Sequence, residues 1–290
     1  MSIIGKKAIN IREEAVGGLS AGIIGTVIGF PLDLIKTRMQ TGTINSGGIV
    51  SIASHIVKKE GFSALYKGIA PPLISLSIVN TMSFTAYSYF RELYGGKNGW
   101  DIRNSWAGMT GTPLIGLITT PENFVKTQMQ MDNVHDKRFR GSFHCASTLA
   151  KEHGFLVLYT GHGINTIREG AFIGAYFYVY EGFREILLQH FGNPQSAIPV
   201  AGGLAGASAW FFSFPLDCIR AGVQGGNLQN SFRRPKATQV FASLIQKNGV
   251  VGLYSGVGPS IMRAFLVSGS RFSAYEGALW LLRGGRDRNK

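Results

Sequence analysis

The residues with the most chemistry to offer recur along the chain instead of meeting in one cluster. Asp33 and Lys36, Asn123 and Lys126, and Asp217 and Arg220 each stand two and five residues after a proline, Pro31, Pro121 and Pro215, in PLDLIKTRMQ, PENFVKTQMQ and PLDCIRAGVQ. The ninth residue after each proline is a glutamine, Gln40, Gln130 or Gln224. An acid and a base three apart share one helix face, and as a local pair contribute only about a few tenths of a kcal/mol. In an apolar setting such groups are costly unless they face partners or a water-filled cavity. Their repetition at one depth in three helices therefore favours pairing between helices. Glutamine can act as both donor and acceptor across such a ring.

A second set is built on tyrosine. Tyr87, Tyr180 and Tyr275 are followed by Ser88, Glu181 and Glu276, and four residues on by Arg91, Arg184 and Leu279. Thirteen residues before Glu181 and Glu276 stand Arg168 and Arg263. Glu169 adjoins the first of these, and the comparable stretch of an earlier segment offers neutral groups around Ser75, Val79 and Asn80. A guanidinium takes a carboxylate by a two-pronged hydrogen bond, and Glu169 can take an ammonium or trimethylammonium group. Together they suit a zwitterion or a cationic amino acid. If Arg168 and Glu169 merely neutralise each other, the two arginines instead suit an organic anion.

Other chemistries find no residues. The six histidines are scattered, nothing pairs a nucleophile with a base, and no stretch resembles a calcium loop. With Cys145 and Cys218 alone there is no disulfide framework or multi-cysteine metal site. No metal, cofactor or enzymatic activity is expected.

The elements that must hold these residues are helices in lipid. The chain of 290 residues is 45% hydrophobic with 39 glycines, and its 29 Lys+Arg against 16 Asp+Glu leave +13. Six stretches, at about 15–40, 70–93, 104–130, 163–187, 198–224 and 257–282, are apolar for the roughly 20 residues that cross a bilayer core. Mean hydropathy is only +0.11, because polar connecting segments dilute the spans. Close small residues such as Gly18, Gly22, Gly25 and Gly29, Gly108 and Gly111, and Gly202, Gly203 and Gly206 let helices approach in lipid. The first residues lack the pattern of a secretory signal. The prolines recur after 90 and 94 residues, and GFSALYKG, GFLVLYTG and GVVGLYSG recur after 93 and 95. This gives three units, 1–97, 98–193 and 194–290. Each has a helix, a short amphipathic segment such as IVSIASHIVKKEG, and a second helix, in an all-α membrane protein of six transmembrane helices. Proline within a helix removes a hydrogen bond and bends it, so the three prolines would bend the odd helices inward at one depth.

The threefold proline, acid and base pattern resembles that of the mitochondrial carrier family over essentially the whole chain. SIVNTMSFTAYS, RFRGSFHCA and NTIREGAFIGAYFYVYEGF are most similar to its amino acid and carnitine subgroup. The resemblance implies six helices about a threefold pseudo-axis in the inner mitochondrial membrane, with a central site open alternately to the two sides. It implies a matrix gate pairing Asp33 with Lys126, Asn123 with Arg220 and Asp217 with Lys36, braced by Gln40, Gln130 and Gln224. Asn123 makes the middle pair neutral, and Glu122, about 100° round the helix, is a poor substitute. The cytoplasmic gate would pair Glu276 with Arg91, set Ser88 against Arg184, and set Glu181 against Leu279. With one ionic pair there and two in the matrix gate, a resting bias toward the cytoplasm-facing state is expected.

Arg168, Glu169, Arg263 and Asn80 would hold a small-molecule solute. Gly61, Gly68, Gly154, Gly161, Gly249 and Gly256 resemble the family's cardiolipin-binding helix ends, although turn and helix-end use also accounts for them. The expected partners are solute, cardiolipin and bilayer, with no nucleic acid and with function as a monomer. A carrier-fold pore with no solute cycle is the alternative from another class.

Overall fold

A computed structural model describes residues 11–41, 48–132, 138–192, 194–226, 235–264, 266–267 and 270. Among these there are helices and turns and no strand. In chain order the helices are α1 (Ile11–Gln40), α2 (Ile49–Glu60), α3 (Ala70–Leu93), α4 (Ile102–Thr110), α5 (Thr112–Met131), α6 (Ser142–His153), α7 (His162–Phe191), α8 (Pro194–Gln224), α9 (Ala237–Asn248) and α10 (257–264). The motif of long helix, 12-residue helix, five-residue 3-10 turn and long helix thus occurs three times, the last up to the limit of the described residues.

Each short helix and its turn pack on the long helix that precedes them. Leu32, Leu34 and Ile35 of α1 meet Ile52 and Ile56 of α2 and Leu65 of the first turn. Phe124 and Met129 of α5 meet Cys145 and Leu149 of α6 with Val157 and Leu158. Ile219 and Val223 of α8 meet Val240 of α9 and Leu253. The same apolar positions are used in each unit because one sequence pattern specifies all three.

The third apolar stretch is not one helix, contrary to the sequence expectation. It breaks at Gly111 into α4 and α5, with Pro113 in the first turn of α5. Proline disfavours helical backbone at the residue before it, and a Cβ at Gly111 would come within 2.6 Å of the Ala86 side chain on α3. A Cβ at Gly108 would lie 3.0 Å from Phe177 and 3.1 Å from Ile173 of α7, and one at Gly29 would lie 2.5 Å from Val267. Gly203 and Gly206 of α8 have open space beside them, so small-residue packing is not uniform among the units. Asp101 caps α4 by accepting from the Arg103 N–H. The Arg103 side chain and the Lys97 and Arg103 amides hold its carboxyl below the usual range.

Polarity runs inside out. Ile23, Ile28, Ile78, Leu117, Ile167 and Phe212 are exposed along the long helices, whereas Asp33, Lys36, Arg168, Glu169, Asp217 and Arg220 are buried. That is the order a hydrocarbon solvent imposes. Among the described residues, length and mean hydropathy alone single out Ser20–Gln40, with the pair Phe62–Ser75 and Ile78–Leu93 as a second span. Interior charges lower the mean hydropathy of α7, which holds Arg168, Glu169, Glu181, Arg184 and Glu185.

Candidate functional site

Pro31, Pro121 and Pro215 lie inside α1, α5 and α8, and the charges that follow them converge. Lys126 Nζ is 2.8 Å from Asp33 Oδ2, and Lys36 Nζ is 2.7 Å from Asp217 Oδ2. The expected middle pair does not form. Asn123 carries no charge, so Arg220 turns to the carboxylate of Asp217 on its own helix at 3.0 Å and to Gln224 Oε1 at 2.8 Å. Asn123 donates instead to Asn165 on α7 at 3.2 Å. Glu122 forms no ion pair with Arg220 among the described residues; its carboxylate accepts from the Ser75 hydroxyl of α3.

The three glutamines behave differently. Gln40 donates to Asp217 at 2.8 Å, and Gln224 accepts from Arg220 while donating to the Thr160 carbonyl at 3.3 Å. Gln130 is fully buried, yet neither polar atom of its side-chain amide has a hydrogen-bond partner among the described residues. It is not a brace in this conformation.

At this ring a cavity of about 140 Å³ is lined by Asp33, Lys36, Asn123, Lys126, Arg168, Trp210, Asp217, Arg220 and Arg263, among others. Arg168 and Arg263 meet here, as their common register predicts, but neither lacks a partner. Arg168 reaches Glu169 at 2.6 Å and Asp217 at 3.3 Å, and Arg263 Nε is 2.7 Å from Asp33. Long guanidinium arms in a dry interior find the nearest carboxylates. The contacts of Arg168 Nε and Arg263 Nε are close without being aligned as hydrogen bonds. They are ion contacts that a better-placed carboxylate can replace. Glu169 is spent on Arg168 and is absent from the cavity wall, and Asn80 is exposed and also absent from it.

Sequence reading missed Trp210. Lys36 Nζ lies 4.0 Å above its ring, and the Arg168 guanidinium lies 5.2 Å from it. Trp210 stands five residues before Pro215, and only the cavity beside it sets it apart from the other aromatics of α8.

At the tyrosine level the pairing also differs from expectation. Glu181 draws in Arg91 at 3.5 Å, Arg184 at 3.2 Å and the Tyr87 hydroxyl at 3.3 Å. Ser88 has no charge to hold Arg184, which therefore folds onto the acid of its own helix. Arg91 also bonds Asn98 at 2.7 Å and Asn104 at 3.1 Å. Tyr87 stacks on Phe177 with ring centres 3.5 Å apart. The Tyr180 ring stacks on Tyr176. Tyr275, Glu276 and Leu279 lie outside the described residues.

The six glycines singled out in the sequence all adopt positive φ, from 62° to 85°. Gly61, Gly154 and Gly249 end the short helices, and Gly68, Gly161 and Gly256 follow the 3-10 turns. Helix-end geometry accounts for their conformation. The second three also touch the next unit: a Cβ at Gly68 would lie 3.0 Å from the Lys126 carbonyl, at Gly161 3.2 Å from Val223, and at Gly256 3.2 Å from the Lys36 carbonyl.

Comparison with known proteins gives the same threefold division. The profile of the family described as mitochondrial carrier protein matches residues 7–98, 101–191 and 194–285. The chain is 31% identical to the mitochondrial arginine transporter of Arabidopsis thaliana, over 92% of this chain and 90% of the relative. It is 29% identical to mitochondrial ornithine transporter 1 of Schizosaccharomyces pombe, over 89% of each. It is also 29% identical to the mitochondrial carnitine carrier of Saccharomyces cerevisiae, over 92% of this chain and 86% of the relative. A matched repeat in every third of the chain, on helices that bury charge and expose apolar side chains, means that this protein belongs to the mitochondrial carrier family and is a transporter.

Proposed function

We propose that this carrier exchanges a small zwitterionic or cationic metabolite of the amino acid or carnitine type across the inner mitochondrial membrane by alternating access, as a monomer. The observation that carries the reading is the double use of two arginines. Arg263 and Arg168 line the cavity and at the same time contact Asp33 and Asp217, the two acids of the proline-level ring. A solute carboxylate that takes either guanidinium competes with a gate acid for the same positive charge. Binding energy is thereby spent on loosening the matrix gate, which is the differential interaction a ligand needs to shift a conformational equilibrium. The ring at Pro31, Pro121 and Pro215 forms that gate, and the Glu181 cluster with Tyr87, Tyr180, Arg91 and Arg184 forms part of the cytoplasmic one. The units 1–97, 98–193 and 194–290 move about the site between them. Trp210 offers a face for a cationic group, and the six positive-φ glycines present helix ends to cardiolipin phosphate. The names of the arginine, ornithine and carnitine relatives support this class of solute.

A second reading has its own observation. Glu169 is bound to Arg168 and does not line the cavity, which suits an organic anion held by arginines alone. Uptake into preloaded liposomes separates the two. Under the first reading, labelled amino acid or carnitine enters in exchange for internal solute, and Glu169→Gln impairs that entry by leaving Arg168 without its nearest partner. Entry confined to anions, with Glu169→Gln active, would replace the first reading with the second. Solute-independent leak would mark a pore.

A further inference from the structure

Both carboxylates on the cavity wall are already engaged through both oxygens. Asp33 gives Oδ1 to Arg263 and Oδ2 to Lys126. Asp217 gives Oδ2 to Lys36 and Gln40, and Oδ1 to Arg220 and Arg168. The rest of the wall is mostly cationic, with Trp210 and the hydroxyls of Thr37 and Thr127 beside the cations, so a positively charged group entering the cavity has few acceptors to meet. Asn123 is the one amide in the lining, and a chain of hydrogen bonds behind it decides which atom of that amide faces inward.

Asn165 is fully buried, and its Nδ2 reaches Thr119 Oγ1 at 3.0 Å and Thr120 Oγ1 at 3.1 Å. Thr120 sends its single hydroxyl proton to the Gly116 carbonyl at 2.6 Å, so its oxygen can only accept, from Asn165 and from His162 Nδ1 at 2.9 Å. Turning the Asn165 amide over would set two acceptor oxygens against each other. Its Oδ1 therefore faces Asn123 and accepts from Asn123 Nδ2 at 3.2 Å. That leaves Asn123 Oδ1 directed away from the network, on a residue that lines the cavity. The nearest cations of the proline-level ring are occupied elsewhere, Lys126 with Asp33 and Arg220 with Asp217 and Gln224.

We infer that Asn123 Oδ1 is a solute-binding acceptor that selects a cation bearing N–H groups, a guanidinium or a primary ammonium, over a quaternary ammonium ion. Asn165, with Thr119 and Thr120, is the positioning residue that aims it. The inference rests on the proposal that this cavity is the solute site. A quaternary ammonium ion has no hydrogen to give the carbonyl oxygen, and a site built around a hydrogen bond rejects an analogue that cannot make it. Among side chains whose charges are already paired, this amide oxygen sets the preference between the two kinds of cation.

The test is exchange in liposomes by the full-length protein, with labelled L-arginine and L-carnitine offered to the same preparation. Their ratio of kcat/KM is the readout, because it cancels losses of folded protein and general changes in gate speed. The wild type is expected to favour arginine by at least tenfold, Asn123→Leu to erase most of that preference, and Asn165→Ala to reduce it severalfold while leaving Asn123 in place. A wild type that favours carnitine, or a preference untouched in both variants, overturns the inference. If Asn123→Leu does not fold, the ratio in Asn165→Ala decides. Exchange of organic anions alone, with neither probe entering, would show that the underlying solute reading had failed and the inference with it.

Discussion

Arg263 Nε lies 2.7 Å from Asp33 Oδ1, and the other oxygen of the same carboxylate lies 2.8 Å from Lys126. One acid thus joins α10, α1 and α5, with a candidate solute-binding arginine on one side and a proline-level lysine on the other. Removing its charge should affect binding and turnover in opposite directions. Asp33→Asn frees Arg263 for a solute carboxylate, so KM is expected to fall severalfold, while loss of the link to Lys126 lowers kcat. Initial-rate exchange in liposomes separates the two constants. A rise in KM would mean that Arg263 needs Asp33 to hold it in place more than it needs release.

Asp217 is the more heavily committed acid. It is fully buried and faces Lys36, Arg220, Arg168 and the Gln40 amide. Replacing one member of a buried ionic group leaves its partners uncompensated, at a cost of about 3–5 kcal/mol. Asp217→Asn is therefore expected to lower the thermal unfolding midpoint of the purified carrier by on the order of 10 °C, at about 2–4 °C per kcal/mol. Adding Lys36→Gln to that variant should recover part of the loss, because it removes one of the stranded cations. Unfolding followed with and without the second substitution measures the coupling directly.

These two acids also show where sequence reasoning reached and where it stopped. Periodicity placed Asp33, Lys126, Asp217 and Lys36 at one level, and two of the three expected pairs are present, because register along a helix is a local property. The destination of Arg220 was not legible. It depends on whether a neutral Asn123 or an anionic Asp217 offers the better acceptor, a comparison of distances across helices. The same applies to Arg168 and Arg263, whose register was right and whose partners were missed. Trp210 escaped notice because an aromatic in an apolar segment carries no signal until the cavity beside it is known. The break at Gly111 was foreshadowed by Gly-Thr-Pro, a sequence unsuited to an uninterrupted helix. The six positive-φ glycines were found by repetition, and repetition indicates geometry before it indicates a ligand.

Cys145 permits a chemical check on the packing of α6. The thiol is fully buried in the apolar contact with α5, and burial, with Asp132 nearby, pushes it up to about 12. Since the thiolate is the reactive form, a raised value keeps the group protonated and inert through the neutral range. An ordinary thiol near pH 8.5 would instead react faster as pH rises from 7 to 9. Peptide mapping after maleimide treatment of the folded carrier should show Cys145 unmodified across that range and modified once the protein is denatured. Labelling that climbs with pH in the folded state would place α6 away from α5.

The glycines offer a comparison in which conformation and contact can be separated. Gly61 has φ 85° and ψ 164°, and a methyl group added there would meet nothing within 4 Å, so Gly61→Ala tests backbone strain alone. Residues forced into such a region cost about 1–3 kcal/mol. Gly68 has the same φ, but a Cβ there would also lie 3.0 Å from the Lys126 carbonyl and 3.2 Å from Met129. Gly68→Ala should therefore cost more than Gly61→Ala, and it should slow exchange as well, because the backbone it pushes carries a lysine of the proline-level ring. Gly141 supplies the control. Its φ of 174° is extended backbone open to any residue, and the space beside it is empty, so Gly141→Ala is expected to leave both stability and exchange unchanged. The order Gly68, Gly61, Gly141 in lost thermal stability, with exchange impaired beyond the stability loss only at the first, would tie the packing of one unit against the next to transport. Equal losses at Gly68 and Gly61, with exchange spared, would reduce the motif to helix-end conformation.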